Sequence, residues 1–259
     1  MTMSAFDSRD SEMTTPKAIH LPHIKVACTD CSLRSLCLPF GLDGEELNKL
    51  DEIIKRPRPL QRSQRLYHPG DEFRSLYVVR SGSIKTYTTT SAGEQQITGF
   101  HLPGELVGLD GVSTDQYNCT AEALETTSVC ELPFSRLESL SGQIPGLQRQ
   151  LHRLMSKEIL AEQQLLLQLG KMSAEARVAA FLMSISMRLE NRGFSPTEFN
   201  LTMTRTDIGN YLGMAVETVS RQFTHFQEQE ILKASRKYIQ VLKPDVLREM
   251  SGLMRCESH

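Results

Sequence analysis

The 259-residue chain has no tryptophan, and none of its apolar runs approaches the ~18 consecutive residues a membrane-spanning helix needs. Residues Met1 to Lys17 also lack the apolar core of a secretory signal, so a soluble, cytoplasmic protein without a membrane partner is expected. Six cysteines are too few for a disulfide-stapled scaffold. The net charge of −2 gives no general attraction to polyanions, so any nucleic-acid surface has to be local. Neither common glycine-rich phosphate loop is present, G-x-G-x-x-G or G-x-x-x-x-G-K-[ST], which removes the usual signature of nucleotide-dependent catalysis. G-x-S-x-G and H-E-x-x-H are missing too, and a protein other than an enzyme is expected. What remains, 39% hydrophobic and 23% charged residues, is the composition of a folded globular chain.

The first positive signal is the crowding of Cys28, Cys31 and Cys37 within ten residues, while Cys119, Cys130 and Cys256 are scattered. Cys-x2-Cys-x5-Cys offers three thiolates from one loop without a second Cys-x2-Cys pair, so a fourth ligand must come from a distance. The spacing suits zinc or an iron-sulfur cluster about equally, with His20 and His23 available to a zinc site.

Upstream of this loop, residues 1–17 are polar and without apolar period, and are expected to be disordered. Leu47, Leu50, Ile53 and Ile54 follow a helical spacing that Pro57 ends. Between Leu60 and Leu140, short runs rich in Val, Ile, Thr and Tyr alternate with turns such as Pro69-Gly70-Asp71, Ser81-Gly82, Ala92-Gly93-Glu94 and Pro103-Gly104-Glu105. This texture predicts a small antiparallel barrel or roll.

From Leu147 to Leu169 there is neither proline nor a run of poor helix formers, and one long helix is expected. A seven-residue register through Gln148, His152, Met155, Ile159, Glu162, Leu166 and Leu169 has two readings: a helix packed along the roll, or a dimer seam weakened by its polar members. Ala174 to Leu189 predicts another amphipathic helix, stopped near Gly193.

Thr204 to Phe223 fits a helix-turn-helix, with Thr204 or Thr206 as cap, Gly209 where the helices cross and Gly213 in the turn. The second helix offers Glu217, Thr218, Ser220 and Arg221 beside Val216, side-chain types suited to base edges in a major groove. Arg205, Lys233, Arg236 and Lys237 are placed to meet phosphates, the last three in a hairpin wing over 233–241. One recognition helix covers few base pairs, so a homodimer on a two-fold double-stranded DNA site, its halves ~34 Å apart, is expected, which favours the seam reading.

In this order the parts resemble the CRP/FNR superfamily of transcription regulators, and the cysteine loop makes the chain similar to its FNR-type, oxygen-responsive members. The resemblance is carried by Cys28-Thr-Asp-Cys-Ser-Leu-Arg-Ser-Leu-Cys-Leu-Pro-Phe, Gln96-Ile-Thr-Gly-Phe-His-Leu-Pro-Gly, Ala123-Leu-Glu-Thr-Thr-Ser-Val-Cys-Glu-Leu-Pro-Phe, Arg192-Gly-Phe-Ser-Pro, Gly209-Asn-Tyr-Leu-Gly and Val216-Glu-Thr-Val-Ser-Arg. It implies an α+β fold: an N-terminal cyclic-nucleotide-binding-like β-roll, a long dimerisation helix and a C-terminal winged helix-turn-helix. The corresponding division is 1–17 disordered, 18–140 cysteine loop and roll, 141–172 dimer helix and 173–259 DNA-binding domain.

The resemblance further implies a [4Fe-4S] cluster on Cys28, Cys31, Cys37 and, from the Val-Cys-Glu-hydrophobic-Pro-Phe motif, Cys130, with Cys119 as a rival ligand. It implies binding to TTGAT-like palindromes under anaerobic conditions, read by Glu217, Ser220 and Arg221, to activate or repress genes of anaerobic metabolism. RNA polymerase contacts are implied at Gly93, Glu94, Arg192, Phe194 and Ser195. The alternative is a regulator of the same fold answering to zinc, haem or nitric oxide. Cyclic-nucleotide-binding relatives hold the phosphate with an Arg-Ser pair, whereas Asn118-Cys119-Thr120-Ala121 contains no arginine, so no cyclic nucleotide is expected.

Overall fold

A computed structural model of the chain describes residues 27–252; the expectations for residues 1–17, for His20 and His23 and for Cys256 lie outside them. The cysteine loop opens with a single 3-10 turn over Cys28–Asp30. Helix α1 (Gly44–Ile53) follows, and its start is set by a capping box. Asp43 accepts the Glu46 N–H at 2.9 Å, and Glu46 accepts the Asp43 N–H at 3.1 Å. Leu47 and Leu50 are the face it buries.

The roll is built from β1 (Arg65–Tyr67), β2 (Ser75–Ser81), β3 (Ile84–Thr89), β4 (Gln95–His101), β5 (Leu106–Val107), β6 (Thr120–Ala123) and β7 (Ser128–Pro133). They form two antiparallel sheets, ordered β1-β6-β3-β4 and β5-β2-β7. The tight β2–β3 turn needs glycine: Gly82 has φ +78°, and a Cβ there would stand 2.5 Å from Thr127 Oγ1 and 2.6 Å from the Thr126 carbonyl oxygen. The roll interior is filled by side chains, with the Tyr67 and Tyr117 rings stacked at 3.8 Å beside Val79, Val107, Val129 and Cys119.

Two helices leave the roll, α2 (Phe134–Gln143) and the 27-residue α3 (Pro145–Lys171). Pro145 stands in the first turn of α3, where a missing N–H removes no helical bond, so the helix begins two residues before Leu147. Its inner face packs Leu147, Leu151 and Leu154 into one apolar cluster with Leu38 and Leu42 of the cysteine loop and Leu76 of β2.

The C-terminal part contains α4 (Ala174–Glu190), β8 (Glu198–Asn200), α5 (Arg205–Tyr211), α6 (Val216–Glu228), β9 (Leu232–Ser235), β10 (Tyr238–Val241) and α7 (Pro244–Met250). The three short strands make the wing in the order β8-β10-β9. Thr204 caps α5 by accepting the Asp207 N–H at 3.0 Å, and the Asp207 carboxylate accepts the Thr204 N–H at 2.9 Å. At Gly209 a Cβ would lie 2.7 Å from the Met214 carbonyl oxygen, so α5 and the turn before α6 close only around a glycine. Among the described residues no helix is long and apolar enough to cross a membrane.

The DNA-binding part is docked on the roll through an apolar cluster, in which Ile97, Phe100 and Leu102 pack with Phe181 and Tyr211, and through polar contacts. Lys85 Nζ meets Asp207 at 3.0 Å and Glu122 at 3.5 Å, and Asn210 Nδ2 donates to the Gln95 carbonyl oxygen at 2.7 Å. Arg188 and Arg192 both grip Glu105. Burial would raise the Glu105 pKa, yet the two guanidinium groups overcome it and hold the carboxyl at about 2.

Candidate metal centre and nucleic-acid interface

Three turns in succession fold the cysteine loop back on itself: the Cys31 N–H reaches the Cys28 carbonyl oxygen, Arg34 that of Cys31, and Cys37 that of Leu33. Cys28 is buried, and its N–H donates to Asp51 Oδ1 at 2.9 Å. Cys130 stands on β7, paired across from Val78 of β2. Cys28, Cys31, Cys37 and Cys130 thereby line one small pocket whose other walls include Leu33, Leu38, Ile54 and Val78.

Burial pushes the Cys28 thiol up to about 12, helped by the Asp51 carboxylate. Cys37 is raised by burial and by its neighbours Cys130, Cys28 and Cys31. Burial also raises Cys130, against the pull of Arg56 and Arg80. Cys119 lies elsewhere, buried in the roll interior with its sulfur 3.8 Å from the Tyr67 hydroxyl, and its thiol is pushed to about 12 by burial and by Asp110.

Among the described residues no group of three or more His, Cys, Asp or Glu side chains is already gathered to hold a metal ion. Four thiols around one pocket are the donor set of an iron-sulfur cluster, in which each sulfur ligates a separate iron. The donor set is soft and its surroundings apolar, so the residues fit an iron-sulfur group. Ser32 is exposed at the loop surface, and Leu36 covers Gly104, whose Cβ position lies 3.2 Å from the Leu36 Cβ.

One contact outside the sequence expectations ties this loop to α3: Gln150 Nε2 donates to the Cys37 carbonyl oxygen at 3.2 Å, and Gln150 is buried. A glutamine on the inward stripe of the helix, among Leu147, Leu151 and Leu154, was the available signal. On another stripe His152, Ile159, Glu162 and Leu166 are exposed, Ile159 at 54% and Leu166 at 73%; Met155 is half-buried, and Glu162 also borders the cleft between α3, α4 and the roll.

On α6, Val219, Phe223 and Phe226 turn inward while Glu217, Ser220 and Arg221 are exposed on one side; Val216 and Thr218 are half-buried. Ser220 Oγ donates to the Val216 carbonyl oxygen at 2.9 Å, and Arg221 Nη2 to Thr218 Oγ1 at 3.2 Å. Arg205, expected at a phosphate, lies instead 3.2 Å over the Phe223 ring, where burial lowers its pKa to about 10.

The surfaces expected to meet polymerase divide. Gly93, with φ +83°, and Glu94 are exposed at the tip of the β3–β4 hairpin, and Phe194 and Ser195 are exposed after α4. Arg192 is corrected: its side chain is only 5% exposed, because Nη2 pairs with Glu105 at 2.5 Å and Nε donates to the Pro103 carbonyl oxygen at 2.6 Å. The Arg192 guanidinium is part of the interface between roll and DNA-binding domain.

Comparison with known proteins agrees with this architecture. Residues 57–143 match the cyclic nucleotide-binding domain, and residues 176–250 the Crp-like helix-turn-helix domain. The chain is 51% identical over 245 residues to the fumarate and nitrate reduction regulatory protein of Vibrio cholerae, covering 95% of this chain and 98% of that one. It is 54% identical over 225 residues to the transcriptional activator protein anr of Pseudomonas aeruginosa, covering 87% and 92%. Among solved structures, FixK2 from Bradyrhizobium japonicum superposes with a TM-score of 0.71 at 29% identity, over 78% of this chain and all of that one.

Proposed function

Because this chain belongs to the FNR-type regulators of the CRP/FNR family, we propose that Cys28, Cys31, Cys37 and Cys130 hold a [4Fe-4S] cluster whose state controls dimerisation and DNA binding. Its relatives are transcription regulators, and the chain is one too rather than an enzyme. The observation that carries the proposal is the convergence of four thiols from two distant segments on one apolar pocket. When bound, the cluster supplies an oxygen-labile anchor for the loop.

The chain's own residues carry that anchoring onward. Gln150 bonds the loop at Cys37, and Leu38 and Leu42 pack on Leu147, so the position of the loop bears on α3. The outward stripe of His152, Met155, Ile159, Glu162 and Leu166 forms the homodimer seam, with Glu162 opposing association. Burial and the neighbouring Glu158 already raise the Glu162 pKa in the single chain. The dimer presents two α6 helices to a TTGAT-like palindrome in duplex DNA, with Glu217, Ser220 and Arg221 meeting bases, Val216 and Thr218 beside them, and Arg205 bracing the helix through Phe223. RNA polymerase meets Gly93 and Glu94 on one side and Phe194 and Ser195 on the other.

The division into an N-terminal tail (1–17), sensor (18–140), dimer helix (141–172) and DNA-binding domain (173–259) belongs to the same reading, as does work in the cytoplasm on genes of anaerobic metabolism. The stacked tyrosines that fill the roll interior support a sensor that takes no cyclic nucleotide.

Anaerobic purification with iron and sulfide analysis, before and after air, alongside binding to a TTGAT-N4-ATCAA duplex, tests the proposal. A brown protein with ~4 iron per chain that bleaches and releases the duplex is expected. Cys130→Ala should lose the cluster and Cys119→Ala should keep it. A colourless wild-type protein that binds equally well in air overturns the cluster assignment.

A further inference from the structure

Arg56 lies where two supports of the thiol pocket meet. Just before it, Lys55 and Glu131 form an antiparallel bridge, each N–H donating to the other's carbonyl oxygen at 2.8 Å. In antiparallel pairing the next residue on one segment faces the preceding residue on the other, which sets Arg56 across from Cys130. Its Nη2 donates to Asp51 Oδ1, the same oxygen that accepts the Cys28 N–H at 2.9 Å. One guanidinium therefore connects the first and the last thiol of the set.

The Arg56 side chain is only 14% exposed. Among the described residues, its Nε is the buried side-chain nitrogen or oxygen that has no hydrogen-bond partner. A charged donor left unpaired in a buried place is unfavourable, and such a group marks a position where an acceptor is to arrive. The fields of the two residues oppose one another at the thiols: Arg56 favours the thiolates of Cys28 and Cys130, and Asp51 disfavours them.

We propose that Arg56 is a charge-compensating residue of the four-thiol site, alongside Arg80, which lines the same pocket. The unpaired Nε–H of Arg56 donates to a sulfur of the loaded site, and its charge offsets the negative charge that accumulates when four thiolates gather there. Asp51 is the positioning residue that holds the guanidinium, and its carboxylate sets a limit on the compensation. This rests on the cluster assignment above. Four thiolates outweigh the positive charge of an iron-sulfur core, so the ligated site is anionic, and one-electron reduction makes it more so. A nearby cation favours the reduced form and a nearby carboxylate the oxidised one; hydrogen bonds to sulfur and local charge are the levers by which proteins set cluster potentials.

The test uses the full chain, reconstituted anaerobically with ferrous iron and sulfide, and reads the cluster's midpoint potential by spectroelectrochemistry together with iron and sulfide per chain. Arg56→Met should shift the potential downward and Asp51→Asn upward, while Arg56→Lys, which keeps the charge, stays nearer the wild type than Arg56→Met. A purely structural role would lower cluster content in all three and leave the potential of the remaining cluster unmoved. Shifts of the same sign in Arg56→Met and Asp51→Asn, or no shift in either, overturn the proposal. Should Arg56→Met fail to assemble a cluster, Asp51→Asn and Arg56→Lys still decide it. A wild-type chain that takes up no iron and sulfide overturns instead the cluster assignment on which the proposal rests.

Discussion

Arg221 and Arg205 show how far one residue type can be specialised by its surroundings. Arg205 is spent on the Phe223 ring, half-buried and with its pKa lowered by burial, so it stiffens the junction of α5 and α6. Arg221 stands exposed two residues before Phe223, restrained only by Thr218. A forked, planar donor in that position suits the two acceptors of a guanine edge. Arg221→Ala should therefore cost about 1–3 kcal/mol on a TTGAT-type duplex and much less on random duplex, measured by fluorescence anisotropy at one salt concentration. Equal losses on both would reassign Arg221 to a phosphate.

At the scale of the element, α3 divides its work between two stripes. The inward stripe is apolar apart from Gln150 and Gln168, and its N-terminal half packs on the cysteine loop and β2. The outward stripe leaves Ile159 and Leu166 to water, which an isolated helix face gains nothing by doing. Glu162 sits within that stripe, and bringing two such carboxylates together across a seam costs on the order of 1 kcal/mol or more. Glu162→Ala should therefore make the cluster-free chain dimerise roughly tenfold more tightly, read by sedimentation equilibrium. Burial and Glu158 push the Glu162 pKa upward, so the wild-type dimer should also tighten as pH falls into the carboxylate range, and the variant should not. A monomeric Glu162→Ala chain would rule out the seam.

At the scale of the molecule, the roll and the DNA-binding domain share one apolar cluster and are also joined by charged pairs. Glu105, in the turn between β4 and β5, pairs with Arg188 and Arg192, and Lys85 of β3 pairs with Asp207 of α5. The folded pKa of Glu105, about 2 against an ordinary 4.5, means that its contribution is complete above about pH 4.5 and is lost as pH falls toward 2. That shift corresponds to roughly 3 kcal/mol at neutral pH as an upper figure, since the side chain keeps some exposure. Glu105→Gln should lower stability to urea at pH 7 by up to about that amount and flatten the decline on acidification between 4.5 and 2. An unchanged acid limb would place the pH dependence in other carboxylates.

Local chemistry determined much of this protein before any folding was considered. Capping residues, glycine-marked turns, helical periodicity and the spacing of Thr204 to Phe223 depend on neighbours within a few positions, so the roll, the long helix and the helix-turn-helix were legible in the chain. Helices α2, which takes over the end of the expected roll from Phe134, and α7 were not anticipated, nor were the short strands whose partners lie far off. Strands β5 and β8 are two and three residues long and exist only because β2 and β10 pair with them. Tertiary structure alone decided the remainder: Arg192 facing Glu105, Arg205 lying on Phe223, Gln150 reaching Cys37 and Arg56 opposite Cys130. In each case a long polar side chain has many equally good local conformations. Only the burial of its surroundings and the arrival of a distant partner select one.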